Sequence, residues 1–321
     1  MTDNSIYYQG FISALQYKIP HKATLTNTIT DLLAIDKDAV YRRLRGEVNF
    51  TFAEMAVIAR NLGISLDSIA EIENEQSKPT KTNISKQVDP TDVDYEMFEG
   101  HVNLLKSIMN ESNTKIIDAG NAFPHYLYQD YEYITKLNLF RWNIASSYGD
   151  ARPFSKITIP DRLRNLQKDT CKYARHISST TYVWDYMIFQ RFVTSIKYHH
   201  RVRLLKDEEV ALIKNDLFNF LDNIEKLADK GKHEETGKEV FIYISDINFD
   251  ANYSCLESKN INMTLFKAFL LNATVSFDKV IYNETKAWIH TVQRMSTLIS
   301  VSGEKIRAGF FETQRKIIDS I

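Results

Sequence analysis

Punctuation residues are scarce in this chain. Ten Gly and six Pro among 321 residues come to about 5%, against roughly 12% in average usage, and no Pro follows Pro160. That scarcity excludes collagen-like, linker-dominated and turn-rich β-sandwich architectures, and it favours long helices. Cysteine is nearly as rare. Cys171 and Cys255 are the only two, too few for a disulfide framework or a zinc cage, so a reducing compartment is expected. An excess of one charge is also lacking: 40 Lys and Arg face 41 Asp and Glu, a net charge of −1, so no global basic field announces nucleic acid. No stretch approaches the roughly 18 uncharged apolar residues of a membrane span. The opening MTDNSIYYQGFISALQYKIP has neither a basic n-region nor an unbroken apolar h-region, so a signal peptide is not expected. What is present is a hydrophobic fraction of 44% and a charged fraction of 25%, the balance of a folded globular chain. The length suggests about two domains, and the expectation is a cytoplasmic protein of mainly α class.

One composition shift divides the chain. From Asn74 to Asp94 it reads NEQSKPTKTNISKQVDPTDVD, with Pro79, Pro90 and only isolated apolar residues, the pattern of a linker. Three segments follow: a small domain over 1–75, a polar linker over 76–92 and a large domain over 93–321.

The small domain divides into short helices with readable ends. Tyr8, Phe11, Ile12, Leu15 and Ile19 share one helical face before Pro20, and Leu25, Ile29, Leu32 and Leu33 mark a second helix after Thr24. Asp36 is placed to cap a third, with Ile35 stapling onto Val40 and Gly46 closing it. Thr51-Phe52-Ala53-Glu54 is a capping box for a fourth helix carrying Met55, Ile58, Ala59 and Leu62 and ending at Gly63. Ser65 would start a fifth with Ile69 and Ile72. The large domain also reads mostly as helix. Trp184, Met187, Ile188, Phe192 and Ile196 line one between Ser179 and His200, and Val210, Ile213, Leu217, Phe220, Ile224 and Leu227 form a seam in another. Val240, Ile242 and Ile244 alternate with Phe241, Tyr243 and Ser245, and a second segment lies near Tyr253–Leu256; together these read as one small β-hairpin. Helices are expected to resume near Thr264, with a joint at Ser302-Gly303.

The second and third helices carry the functional signal. Ile29 and Leu33 face inward from one, Val40 and Leu44 from the other, across a short turn at Ala34-Ile35. This is helix-turn-helix spacing, in which the second helix of the pair enters the major groove. On a wheel of the third helix Val40 and Leu44 centre the buried stripe, Asp38, Arg42 and Arg45 lie opposite, and Lys37, Tyr41 and Arg43 flank. Arg binds guanine O6 and N7 bidentately, an acid accepts from cytosine N4, and neighbouring cations hold phosphates. Residues 1–75 carry seven cations and ten anions, a net −3, yet four of the cations fall within Lys37–Arg45. Local concentration outweighs the sum, because charge beyond about 8 Å is largely screened. The bland reading is a solvated charged face; agreement of caps, staples, turn and basic helix favours DNA.

Over residues about 8–73 the runs DKDAVYRRLRG (Asp36–Gly46), TFAEM (Thr51–Met55) and IARNLGISL (Ile58–Leu66) resemble the lambda-repressor-like (Cro/phage repressor) DNA-binding domain, in its BetR-like branch. The resemblance implies a five-helix fold, base contacts at Lys37, Asp38 and Arg42, and backbone contacts at Tyr41 and Arg45. It also places phosphate contacts at Thr26 and Asn27, with Arg43 among the DNA-facing cations. It departs from the family at Thr30, Ala34 and Arg43, where Ala, Gly and an apolar residue are usual; Leu44 takes the inward role one position later.

The large domain offers no enzyme motif: GxGxxG, GxxxxGK[ST], HExxH and GxSxG are all missing. His199-His200 would diverge on a helix, and Asp246, Asp250 and Glu257 lack the spacing of a calcium loop. No catalytic residue, cofactor or metal is therefore expected. Trp142, Trp184 and Trp288 suit either a helical core or an effector pocket. The reading is a DNA-binding transcriptional regulator whose partners are double-stranded DNA, a second copy in a homodimer, and an effector, small molecule or protein, at the large domain. The alternative is a protein-interaction module that keeps the helix-turn-helix fold and docks a partner protein.

Overall fold

Four of the five helices expected near the N-terminus form, and the fourth starts on the capping box that its sequence spells. In a computed structural model the residues described are 4–19, 21–64, 66, 69, 81–82, 86–147, 151–269 and 272–321. They divide into two compact units, Met1–Pro79 and Thr80–Ile321.

In the first unit α1 spans Asn4–Lys18, α2 Lys22–Leu33, α3 Lys37–Leu44 and α4 Phe52–Leu62. Their apolar stripes meet in one core of Phe11, Leu15, Leu25, Ile29, Val40, Phe50, Ile58, Ala59 and Ile69, with Leu33, Ile35 and Leu44 packed at its edge. Thr51 and Glu54 make both bonds of the capping box that starts α4. Asp36 takes the N-cap position of α3 with extended backbone, although its carboxylate makes no capping bond. Of the expected fifth helix, Leu66 and Ile69 pack on the core, whereas Ser65 and Ile72, like Pro20, lie outside the described residues. The joint between α2 and α3 is strained. Ala34 closes α2 at φ 52°, ψ 43°, a left-handed conformation in which a Cβ crowds the following carbonyl.

The second unit overturns the expected helical class with one hairpin. It is built on an eight-stranded mixed sheet in the order β1-β7-β6-β5-β2-β3-β4-β8. The strands are β1 Lys81–Thr82, β2 Lys115–Gly120, β3 Ser179–Asp185, β4 Glu239–Ser245, β5 Asn252–Glu257, β6 Asn262–Phe269, β7 Asn272–Ser276 and β8 Thr297–Leu298. β2, β3 and β4 are parallel neighbours, joined by helical crossovers. β5, β6 and β7 continue antiparallel from β2, and β1 and β8 close the two edges. The helices are α5 Asp92–Ile108, α6 His125–Tyr128, α7 Glu132–Ser146, α8 Asp161–Ala174, α9 Ile188–Arg201, α10 Asp207–Lys230, α11 Lys279–Arg294 and α12 Glu304–Asp319.

Three expectations are corrected in consequence. Val240–Ser245 and Tyr253–Leu256 are strands, but they are not partners: β4 pairs with β3 and β8, and β5 with β2 and β6. Residues after Thr264 continue as strand, and helix returns only at Lys279. Trp184 lies fully buried on β3, whereas Ile188, Phe192 and Ile196 do share a helix. The strands were hidden because the central ones are covered on both faces. β2 reads KIIDAG with five consecutive buried residues, and such a strand loses the polar alternation that would reveal it.

The two sheet faces are covered unequally. Tyr182, Trp184, Val240 and Ile242 pack with the seam of α10 and with α12, and Ile116, Leu256 and Met263 pack beneath α5 and α8. On the opposite face Ile117, Ala119, Val183 and Cys255 meet Tyr282, Ile289 and Val292 of α11. The α10 seam is therefore spent within the chain. His199 and His200 go to separate partners, the Ser195 carbonyl at 2.7 Å and Asp207 at 2.7 Å. Among the described residues no helix is long and apolar enough to cross a membrane.

Relieving the left-handed Ala34 is expected to stabilise the first unit. Ala34→Gly should add about 1 kcal/mol, read in the full chain as slower amide hydrogen exchange in α2 and α3; unchanged or faster exchange would contradict the strain.

Candidate nucleic-acid interface

The candidate interface is the outer side of α3, and its orientation follows from two buried side chains. Val40 is wholly buried and Leu44 packs at the edge of the core, so the residues opposite them point to water. Lys37, Asp38, Tyr41, Arg42 and Arg45 are all exposed. The C-terminus of α3 is fixed by a Schellman closure: the Gly46 amide donates to the Arg43 carbonyl at 2.9 Å and the Glu47 amide to the Arg42 carbonyl at 2.9 Å. Gly46 sits at φ 76°, which a side chain would resist.

Arginine by arginine, the helix divides its labour. Arg43 is turned inward, its side chain only 19% exposed. Its guanidinium donates to Glu54 at 2.9 and 3.4 Å and to the Ala39 carbonyl at 3.3 Å. Glu54 also accepts from the Thr51 amide at 2.7 Å, so one carboxylate caps α4 and ties it to α3. Tyr8 completes the clamp, its hydroxyl donating to the Arg43 carbonyl at 2.8 Å and accepting from the Phe50 amide at 3.2 Å. Arg42 and Arg45 differ from Arg43. Both reach Glu47, at 3.7 and 2.9 Å, yet their side chains remain 60% and 64% exposed. Ion pairs of that kind are worth about 0–1 kcal/mol, less than a bidentate base contact of about 1–3 kcal/mol, so a duplex can displace them.

Two of the residues singled out in the sequence are not presented to solvent in this way. Thr26 is buried, and its hydroxyl donates to the Lys22 carbonyl at 2.9 Å, which takes it from the expected phosphate-facing set. Arg43 serves the clamp. Asn27 is exposed on α2. Glu54, Tyr8 and Glu47 are the participants that sequence reasoning missed. Thr51 and Glu54 were visible as a capping box, but their link to Arg43, eleven positions away, depends on how α4 packs on α3.

Residues 13–99 match the family model of the BetR domain, a helix-turn-helix family related to phage repressor-like regulators. The N-terminal region is thus a helix-turn-helix domain, and the match runs on past the first unit into α5. No curated protein matches the chain. No solved structure matches it.

The Glu54 clamp has a pH signature. Burial alone would raise this carboxyl, but the Thr51 amide and the Arg43 guanidinium outweigh burial and hold it below its ordinary value of 4.5. A carboxyl depressed in the folded state contributes stability that is complete above that value and is lost as pH falls through the lower folded one. Glu54→Gln should therefore destabilise the first unit by about 1–3 kcal/mol at neutral pH. The gap from wild type should close on acidification below about pH 4.5, measured by amide exchange across a pH series. A gap that stays constant would contradict the charge-based clamp.

Proposed function

We propose that the chain is a sequence-specific transcriptional regulator acting as a homodimer in the cytoplasm, with α3 laid in the major groove of double-stranded DNA. The observation that carries this reading is the exposed row of Lys37, Asp38, Tyr41, Arg42 and Arg45 on a helix anchored by Val40 and Leu44, within a region matching a helix-turn-helix family. In this reading Lys37, Asp38 and Arg42 address base edges, while Tyr41, Arg45 and Asn27 hold the backbone. The exposed amide end of α2 favours phosphate there.

Dimerisation follows from energetics. One eight-residue recognition helix buries too little surface for tight specific binding, and the first unit is net negative in sequence, so non-specific attraction is weak. Two copies on a near-palindromic site would set their α3 helices about 34 Å apart, one turn of DNA. The second unit would supply the dimer contact, an effector site, or both; the reading gives it no catalytic role.

Docking of a partner protein is the alternative, and the exposed apolar side chains of Val48, Phe52 and Val57 in the same unit would be its natural surface. Salt separates the two: DNA affinity falls steeply between low and physiological salt, and apolar docking changes little.

On an operator selected from randomised DNA with the purified full chain, Arg42→Ala should cost about 1–3 kcal/mol and relax preference at one base pair. Arg45→Ala should weaken all sequences alike and lower the salt slope by about one. Equal binding by both variants and wild type would overturn the assignment of these residues.

A further inference from the structure

The second unit contains a cavity whose floor is one face of the sheet. A cross-strand row runs Asp118, Ser254, Leu265, Val275 over β2, β5, β6 and β7. One row along, Asn252 pairs with Lys267 beside Gly120. A Cβ on Gly120 would collide with the Asn252 side chain, so glycine there is what lets Asn252 cross β2 and accept from the Ala122 amide at 2.9 Å. The walls come from α5 (Phe98, His101), the start of α6 and α8 (Leu163, Leu166), enclosing about 220 Å³. A second cavity of about 300 Å³, lined by Arg141 and Arg191, shares Phe123, Tyr128, Asn252 and Lys267 with the first. Both are lined by Ala122 and Phe123, just past the carboxyl end of β2, where the chain's strand order turns from one side of the sheet to the other. That is where open α/β sheets bind ligands.

The charges around these cavities do not cancel. Arg191 is paired with the buried Asp185 at 3.0 Å. Arg141 on α7 has only the Asn138 side-chain oxygen at 3.3 Å and the Phe192 ring at 5.8 Å, and among the described residues no carboxylate forms an ion pair with it. Lys267 likewise forms no ion pair with a described residue, and its one facing acid is Asp118. Burial brings these two toward neutrality, Asp118 up to about 7 and Lys267 down to about 8. Burial also keeps His101 and His125 uncharged near neutral pH. Asp250, the remaining acid of the lining, is exposed to water. With Lys267 set against Asp118, the unmatched charge is Arg141, a single half-buried cation. Nε2 of His101 and Oε1 of Gln129, both in the lining of the first cavity, are buried without a hydrogen-bond partner.

We propose that the two cavities form one binding site for a small monocarboxylic acid with an apolar body, its carboxylate held between Arg141 and Lys267 and its body lying among Phe98, Leu163, Leu166 and Leu265. The acid supplies the one negative charge the site lacks, and guanidinium and ammonium give it charge-assisted hydrogen bonds in a setting of low dielectric. A neutral body of similar size fills the apolar cavity but leaves Arg141 unmatched. As the effector of a regulator, this ligand rests on the function proposed above; as a binding site it stands on the cavity alone.

The test uses the full chain without DNA, titrated calorimetrically with hydrocinnamate, phenylacetate and octanoate, and with hydrocinnamyl alcohol and phenethylamine as uncharged and cationic counterparts. At least one acid should bind, and its alcohol or amine counterpart should bind roughly tenfold or more weakly. Arg141→Met and Lys267→Met should each weaken the acid by about tenfold or more and leave the alcohol unchanged, with Arg141→Lys restoring part of the loss. Removing an unmatched, half-buried cation should not lower the melting temperature; if Arg141→Met fails to fold, Lys267→Met and Arg141→Lys carry the comparison. No binding by all three acids, equal binding by the alcohol, or acid binding unaffected by the variants would overturn the site. Because DNA is absent, that failure leaves the DNA reading standing, and a failure to bind DNA leaves a positive titration standing.

Discussion

Burial of Val40 is the constraint on which the DNA-facing side depends. An eight-residue helix has little stability of its own, and its direction in space is set by what it anchors. With Val40 fully buried and Leu44 beside it, the remaining positions of α3 have no rotational freedom, and Arg42 and Arg45 are held outward without needing a partner. The Arg43–Glu54 pair then fixes the helix against α4. A single carboxylate thus joins two tasks, capping α4 and neutralising the one inward arginine, while Arg42 and Arg45 keep only their exposed pairs with Glu47.

Most of the first unit could be read from the chain because its signals are local. A capping box spans four residues, a staple about six, and the closing glycine is adjacent to the helix it ends. The Arg43 clamp could not be read that way. It pairs residues on two helices, and nothing in the spacing of Arg43 and Glu54 says that their side chains meet. Thr26 was misplaced for a related reason: a threonine near a helix start has the right chemistry for phosphate, but its helix buries it and its hydroxyl bonds back one turn.

The second unit was less legible, and the cause is its sheet. Short apolar runs such as Ile116-Ile117 and Tyr182-Val183-Trp184 are ambiguous between helix and strand when both faces are covered. Low proline and glycine content favours helix over strand for such runs. The alternation in β4 was real, but β4 and β5 flank the β2–β3 pair instead of each other, a long-range fact that no local pattern contains. The long α10 seam, by contrast, is visible at once, since its period repeats from Val210 to Leu227 within one 24-residue helix. The cavity was invisible for the same reason as the sheet: Asp118, Lys267 and Arg141 come from β2, β6 and α7, and only the fold brings them around one space.

Methylation interference on the selected operator tests most directly whether α3 reads the major groove. Guanine N7 lies in the major groove, so a methyl group there blocks a side chain that reads that edge, whereas adenine N3 methylation marks the minor groove. Binding should be lost on guanine N7 methylation within each half-site, with the effect gone at one position for Arg42→Ala. Binding that tolerates N7 methylation at every guanine and is blocked only from the minor groove would contradict major-groove reading.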